Sequence, residues 1–292
     1  MGVFSKRVRH AAPPSAADSN RSWRRAGRFR SCAGRRGGQF GGMVMRRVFC
    51  LCGVMLLCGS TILPAQEAVP EGTKARWFGH AFVYLVSKSG VRIAVNPFTE
   101  GTVDYPLPER LPAEIVLISS EAPDYSGGQH IFGLPQVFRS LAGVGANRAN
   151  GIPFRGINTW RDAEGGKRLG RNTVYQLEVD GLRYVHLGTL GHPLSSKDVS
   201  AIGRADVLFL PVGTQELSQR EILRNAELLE AKWIVPLAYG TEPSRRLGLR
   251  PLADLDFGKL AVKKHEASEF VFVKSALPEA PTVLVLKEPA GL

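Results

Sequence analysis

The sequence predicts an α/β fold in which two mixed β-sheets pack between helices. Short apolar runs of strand-forming residues follow one another in the first part of the body, before any helix signal. Further along, apolar runs alternate with helix-starting boxes, as in βαβ units. No long Pro/Ser linker, repeat or heptad pattern follows Gly72, so one domain is expected over 66–292.

Taken in order, Lys74–Phe78, Phe82–Val86 and Val91–Val95 read as strands, with Ser87–Gly90 turning between the last two. Ile115–Ile118 is wholly apolar and is expected to be a buried strand. Asn172–Val179 and Leu182–Leu187 form a hairpin about Asp180-Gly181, a pair that accepts the positive φ of a tight turn. Ser195-x-x-Asp198 and Ser218-x-x-Glu221 can each satisfy the free N–H groups of a helix start. They open helices near 196–203 and 219–231. Val207–Pro211 and Trp233–Leu237 are buried strands, and Phe270–Val273 and Thr282–Leu286 are late ones.

The net charge of +12 belongs almost entirely to the leader. Residues 1–65 hold twelve Lys/Arg and one acid, Asp18, whereas residues 66–292 hold 26 basic and 25 acidic residues. A near-neutral body excludes nucleic-acid binding by a basic surface. Arg46-Arg47, the apolar run Val48–Leu63 and then Pro64-Ala65-Gln66 describe a signal peptide over 43–65. The run is short for a membrane span. Export to the periplasm or the medium with cleavage near Ala65 is therefore expected, with a retained signal anchor as the alternative. Met43 or Met45 reads as the start, and residues 1–42 as a basic low-complexity tail or an over-extended start. Leu56-Leu57-Cys58-Gly59-Ser60 loosely resembles a lipid-attachment box, although Leu57 is large for its place. Cys32, Cys50, Cys52 and Cys58 all lie in the leader, so the body has no disulfide and no thiolate metal site.

Ser119-Ser120-Glu121-Ala122-Pro123-Asp124-Tyr125 follows the buried run where a metal-binding His-x-His-x-Asp-His loop would be expected, and it contains no histidine. Four further segments carry a resemblance. Trp77-Phe78-Gly79-His80-Ala81 resembles an opening strand and Gly-His turn, and Ile93-Ala94-Val95-Asn96-Pro97-Phe98 an Asp-Pro-Phe segment. His186-Leu187-Gly188-Thr189-Leu190-Gly191-His192-Pro193 resembles His-Leu-Gly-Asp-Leu-Gly-His-Pro, and Val235-Pro236-Leu237-Ala238-Tyr239 resembles Ile-Pro-Met-His-Tyr. In this order they make the chain, from about residue 74 onward, similar to the metallo-β-lactamase fold, in the branch of L-ascorbate-6-phosphate lactonase-like hydrolases. The resemblance implies an αββα sandwich. It also implies one or two Zn, Mn or Fe ions, held by His and Asp at strand ends, that turn bound water into hydroxide.

Carried over position by position, the first two histidines fall on Ser120 and Ala122, the aspartate on Asp124 and the next histidine on Tyr125. The mid-chain histidine falls on Arg161, the bridging aspartate on Thr189 and the last histidine on Ala238. Asn96 stands where an aspartate that orients a ligating histidine is usual. One presumed ligand of seven remains. The resemblance therefore implies a vestigial pocket of Ser120, Ala122, Asp124, Tyr125, Arg161 and Thr189, joined by His192, Ala238 and Tyr239. It implies no catalytic residue, no metal and no cofactor.

The first functional reading is a non-catalytic pseudoenzyme that binds a ligand or a partner. The alternative is a metal-dependent hydrolase of an ester, lactone or phosphoester, using zinc or another divalent transition metal in a remodelled site. The question of enzyme activity stays open, with the balance toward none. Arg161 either pairs with Asp124 or points to solvent, and it could hold a small anionic ligand. A protein partner on an outer face is the competing idea. His80 and His192 either form a relocated metal site with Asp124 or Glu121, or bond nearby backbone at their turns. His186 is expected to be satisfied within a strand. Ser119 and Ser120 lack a histidine base and a Gly-x-Ser-x-Gly elbow, so nucleophilic catalysis is not expected. Gly127-Gly128 and Gly165-Gly166 read as turns, not phosphate cradles.

Overall fold

The structure is a computed structural model that describes residues 71–290. The basic tail, the signal segment over 43–65 and all four cysteines lie outside the described residues. The strands are β1 (Thr73–Trp77), β2 (Val83–Val86), β3 (Arg92–Val95), β4 (Leu111–Pro112), β5 (Ile115–Ile118), β6 (Ile131–Phe132), β7 (Gln136–Arg139), β8 (Gly145–Ala149) and β9 (Ile152–Trp160). Then come β10 (Arg171–Val179), β11 (Leu182–His186), α1 (Ser196–Ile202), β12 (Val207–Pro211), α2 (Gln219–Leu228), β13 (Trp233–Leu237), β14 (Ala261–His265), β15 (Glu269–Phe272) and β16 (Thr282–Leu286).

Two mixed sheets carry the fold. One has the order β15-β1-β2-β3-β5-β7 and the other β14-β16-β13-β12-β11-β10-β9-β8. The alternation of strand side chains sorts the first sheet into two faces. Ile93, Val95, Ile115 and Leu117 point into the main core with Tyr184, Leu208 and Val235 of the second sheet. Ala94, Val116 and Ile118 point the other way, under Phe82, Phe98 and Tyr105. Both faces of β5 are thus covered, which is why its sequence is a continuous apolar run. Each of these large side chains contributes roughly 1.5–3 kcal/mol by leaving water. Tyr175 on β10 ties the sheets together, its hydroxyl reaching the carbonyls of Ile118 at 3.1 Å and Phe138 at 3.0 Å.

The local signals act as expected where the geometry is local. Ser195 with Asp198 and Ser218 with Glu221 form complete capping boxes. Asp180 and Gly181 both take positive φ, at 51° and 79°, and close the β10–β11 hairpin.

Helix α2, expected to run to 231, stops at Leu228. Glu230 takes φ 48° there, its N–H donates to Glu227 O at 2.9 Å, and Ala231 N–H donates to Ala226 O at 3.3 Å. That pair of bonds is a Schellman end, and it frees the chain to enter β13. Strands β7, β8, β9 and β14 carry no expectation from sequence. The β8–β9 segment holds Gly145, Asn147, Pro153 and Gly156, poor strand formers made extended by the pairing of β8 with β9 and of β9 with β10.

Candidate functional site

The candidate site gathers where strands of both sheets end. It takes the turn after β1 (Gly79-His80), Asn96 after β3, Ser119–Tyr125 after β5, Arg161 after β9, Gly188-Thr189 after β11 and Ala238 after β13. Carboxyl ends of strands are where open α/β sheets bind ligands. Three non-glycine residues here adopt left-handed backbone: His80 (φ 47°), Asn96 (52°) and Ala238 (50°). Asparagine tolerates this conformation, but at His80 and Ala238 it costs about 1–3 kcal/mol each. The strain is held by two hydrogen bonds to the His80 carbonyl. Ala238 N–H donates to His80 O at 3.0 Å, and the Trp77 indole donates to the same oxygen at 3.0 Å.

Two buried asparagines organise the floor. Asn96 Oδ1 accepts from Ser119 N–H at 2.8 Å, and its amide lies 3.4 Å from His186 Nδ1. His186 itself is satisfied, as expected for a core residue. Its Nε2 contacts Ala81 O at 3.0 Å and its Nδ1 accepts from Gly188 N–H at 2.9 Å. Burial first, then the nearby His80 charge, lower its pKa to about 4 against the opposing Ala81 bond, so the ring is neutral at pH 7. Asn172 is fully buried and makes three bonds. Its amide donates to Thr159 Oγ1 at 2.8 Å and Leu187 O at 2.9 Å, and its Oδ1 accepts from Thr189 N–H at 2.9 Å. Gly188, between Leu187 and Thr189, has φ 66°, and a β-carbon there would run into Asn172 Oδ1.

Asp124 meets His80. His80 Nε2 lies 3.2 Å from Asp124 Oδ2, the imidazole is 1% exposed, and its Nδ1 is buried without a partner among the described residues. The His80 side chain therefore reaches across the site, while only its main chain serves the turn. Burial would raise the Asp124 pKa. The His80 hydrogen bond and charge, local backbone and the more distant Arg161 charge outweigh it, and the carboxyl sits below its usual range. The ring of Tyr125 stands edge-on to His80, centroids 4.9 Å apart. Burial, then the Asp124 charge, push the Tyr125 phenol far above its usual range, with Thr189 and Arg161 acting against them.

Arg161 makes no ion pair with Asp124 among the described residues. Its Nη1 donates to Leu169 O at 3.2 Å and its Nε is buried without a partner. The loop that supplies Leu169 is wound around Asp162, whose carboxylate accepts four backbone N–H bonds, from Glu164, Gly166, Arg168 and Leu169. Those bonds, led by that of Leu169, lower the Asp162 pKa to about 2.

Ser120 Oγ accepts from Ala122 N–H at 3.2 Å, and both residues line an open cleft of about 570 Å³ with Arg139, Arg161 and Arg171. Ala122 also packs with Ala81, Tyr125 and Ala238. His192 faces elsewhere: its Nε2 accepts from Trp160 N–H at 3.3 Å and its Nδ1 lies 2.9 Å from Pro193 O. Glu121 is engaged by Arg139 at 2.6 Å. Tyr239 packs on Trp77, centroids 5.4 Å apart. His130 lies 4.0 Å from Glu100, and His265 stands edge-on to Phe270. Sequence reasoning missed Asn172, Asp162 and the need for Gly188. An Asn opening a strand and an Asp before Gly-Gly are ordinary surface signals, and only tertiary contact distinguishes these.

The model of the β-lactamase superfamily domain matches residues 74–238. A metal-dependent hydrolase of Thermococcus onnurineus is 25% identical over 197 residues, 58% of this chain and 86% of that protein. A metal-dependent hydrolase of Archaeoglobus fulgidus is 23% identical over 197 residues, 58% and 84%. A solved structure from Thermotoga maritima, a proposed Zn-dependent hydrolase of the metallo-β-lactamase superfamily, shares 28% identity and a TM-score of 0.58. It covers 73% of this chain and 98% of its own.

These relatives correct one expectation from the sequence. Proteins matched over most of their length are named metal-dependent or Zn-dependent hydrolases, which points to a metal cofactor and not to none. No group of three or more His, Cys, Asp or Glu is placed to hold an ion among the described residues. His80 Nε2 and Asp124 Oδ2 are two donors near enough to share an ion, one fewer than the three protein ligands of a catalytic zinc site. Two donors at about 2.1 Å from a tetrahedral ion stand roughly 3.4 Å apart, close to the 3.2 Å observed.

Proposed function

We propose that this chain, which belongs to the β-lactamase superfamily, is a metal-dependent hydrolase of an ester, lactone or phosphoester that works through a remodelled site. The observation that carries the reading is the His80–Asp124 pair: an ionised carboxylate and the Nε2 of a buried imidazole, 3.2 Å apart at the strand ends. The left-handed backbone at His80 and Ala238 supports it, since strain of this kind gathers at working sites. A divalent ion bound there would supply an acidified water as nucleophile. The chain's own residues hold the rest: Asn96 and Asn172 fix the loops, and Tyr125 closes one side. Residues 43–65 read as a signal peptide, so the proposed setting is the periplasm or the medium.

Arg161, Thr189 and Ala238 at three carried-over ligand positions favour a second reading, binding of a ligand or protein partner without turnover. One experiment separates the two. The purified domain is assayed for bound transition metal and for turnover of a panel of esters, lactones and phosphoesters, beside His80→Ala and Asp124→Asn. Metal and turnover that both variants lose support the hydrolase. Turnover that neither variant affects, or none with any divalent metal added, overturns it.

A further inference from the structure

We propose that Arg161 forms an oxyanion-binding subsite in the cleft beside the His80–Asp124 pair, taking a phosphate or carboxylate group of the substrate. The inference rests on the reading of this cleft as the substrate pocket. A guanidinium offers its best fork to an oxyanion along the Nε–Nη2 edge. Arg161 has its Nη1 anchored to Leu169 O at 3.2 Å, while Nε is buried with no partner and Nη2 has none among the described residues. A buried donor left unpaired is costly and calls for a missing acceptor. An oxyanion on this edge would satisfy it with two parallel bonds.

The surroundings favour the same charge. Arg161 shares the cleft of about 570 Å³ with Arg139 and Arg171. Of the two neighbours, Arg139 is neutralised by Glu121 at 2.6 Å. Arg171 has no carboxylate partner among the described residues. It lies over Trp160, 5.2 Å from the ring centroid, and donates to Asn158 Oδ1 at 3.0 Å. Asp124 does not line this cleft, and its carboxylate is engaged by His80. The Arg161 side chain is also pre-positioned. Asp162 gathers four backbone N–H groups and so holds Leu169 where its carbonyl meets Nη1. A rigid fork loses little freedom on binding, which favours affinity. The cleft thus supplies positive charge where the carried-over histidine is gone.

The test is calorimetric titration of the full domain, freed of metal with a chelator, with inorganic phosphate and separately with acetate. Saturable binding of either ion is expected, weakened at least tenfold by Arg161→Gln. Tighter phosphate points to a phosphoester substrate and tighter acetate to a carboxylate-bearing one. Arg161→Lys keeps the charge and loses the fork, so it too should bind more weakly than wild type. If Arg161→Gln does not fold, the lysine variant decides alone. No saturable binding, or wild-type affinity in Arg161→Lys, overturns the inference. Turnover of neutral esters without anion binding would sink the subsite and leave the hydrolase standing. Anion binding without turnover of any substrate would do the reverse.

Discussion

Replacing Asn172 by alanine should destabilise the domain more than any other single polar change at the site. The side chain is completely buried and makes three bonds, two of them to main-chain groups of the β11 end. Truncation leaves Leu187 O and Thr189 N–H without their partner in a place closed to solvent. Each orphaned group costs about 1–3 kcal/mol. A water entering the void would recover part of this, so the net loss expected is about 2–4 kcal/mol. For a domain of this size, about 1 kcal/mol moves Tm by roughly 2–4 °C, so a fall on the order of 10 °C follows. Urea unfolding followed by tryptophan fluorescence measures the loss directly. Asn172→Asp keeps the acceptor for Thr189 but sets a buried charge against the Leu187 carbonyl, so at pH 7 it should cost at least as much. A loss below about 1 kcal/mol in both variants would refute the claim that this side chain holds the site together.

Other outcomes follow from the same geometry. Gly188→Ala places a β-carbon against Asn172 at a left-handed φ, and a loss of about 1–3 kcal/mol is expected in the same unfolding assay; wild-type stability would contradict it. Asp162 has its folded pKa lowered to about 2, so its contribution is present above the unfolded carboxylate value near 3.9 and fades as pH falls toward 2. Asp162→Asn should therefore be less stable than wild type at pH 7, with the gap narrowing between about pH 4 and 2. A gap that stays constant over that window counts against the assignment. Expressed from Met43, the protein should appear outside the cytoplasm with Gln66 near its new N-terminus, read by Edman degradation or mass spectrometry; an intact leader would argue for the anchor.

Much of the fold was legible because its signals are local. Apolar runs marked the strands that pack on both faces, serine boxes marked the helix starts, and Asp180-Gly181 marked a hairpin. Strands β7, β8, β9 and β14 were not legible, since their exposed or glycine-bearing sequences are held extended only by neighbours. At the site, residue types showed which side chains stand at the positions the resemblance singles out, but not what each of them touches. Arg161 was a reasonable partner for Asp124 on charge alone. The structure gives that carboxylate to His80, which arrives from a turn 44 residues earlier.

The sequence by itself determined the class of fold and the strand, turn and helix-start signals along it. Those follow from periodicity and from turn and capping chemistry, whereas the positions of presumed metal ligands are only what the family resemblance implies. Only the tertiary structure decided how the surviving groups pair. Whether Asp124 is lowered by His80, whether Arg161 is tethered by Leu169, and whether Asn172 is a surface amide or a buried hub depend on distances between segments far apart in the chain. Hydrogen bonds and buried charges act over a few ångströms, and that proximity exists only after the two sheets have packed.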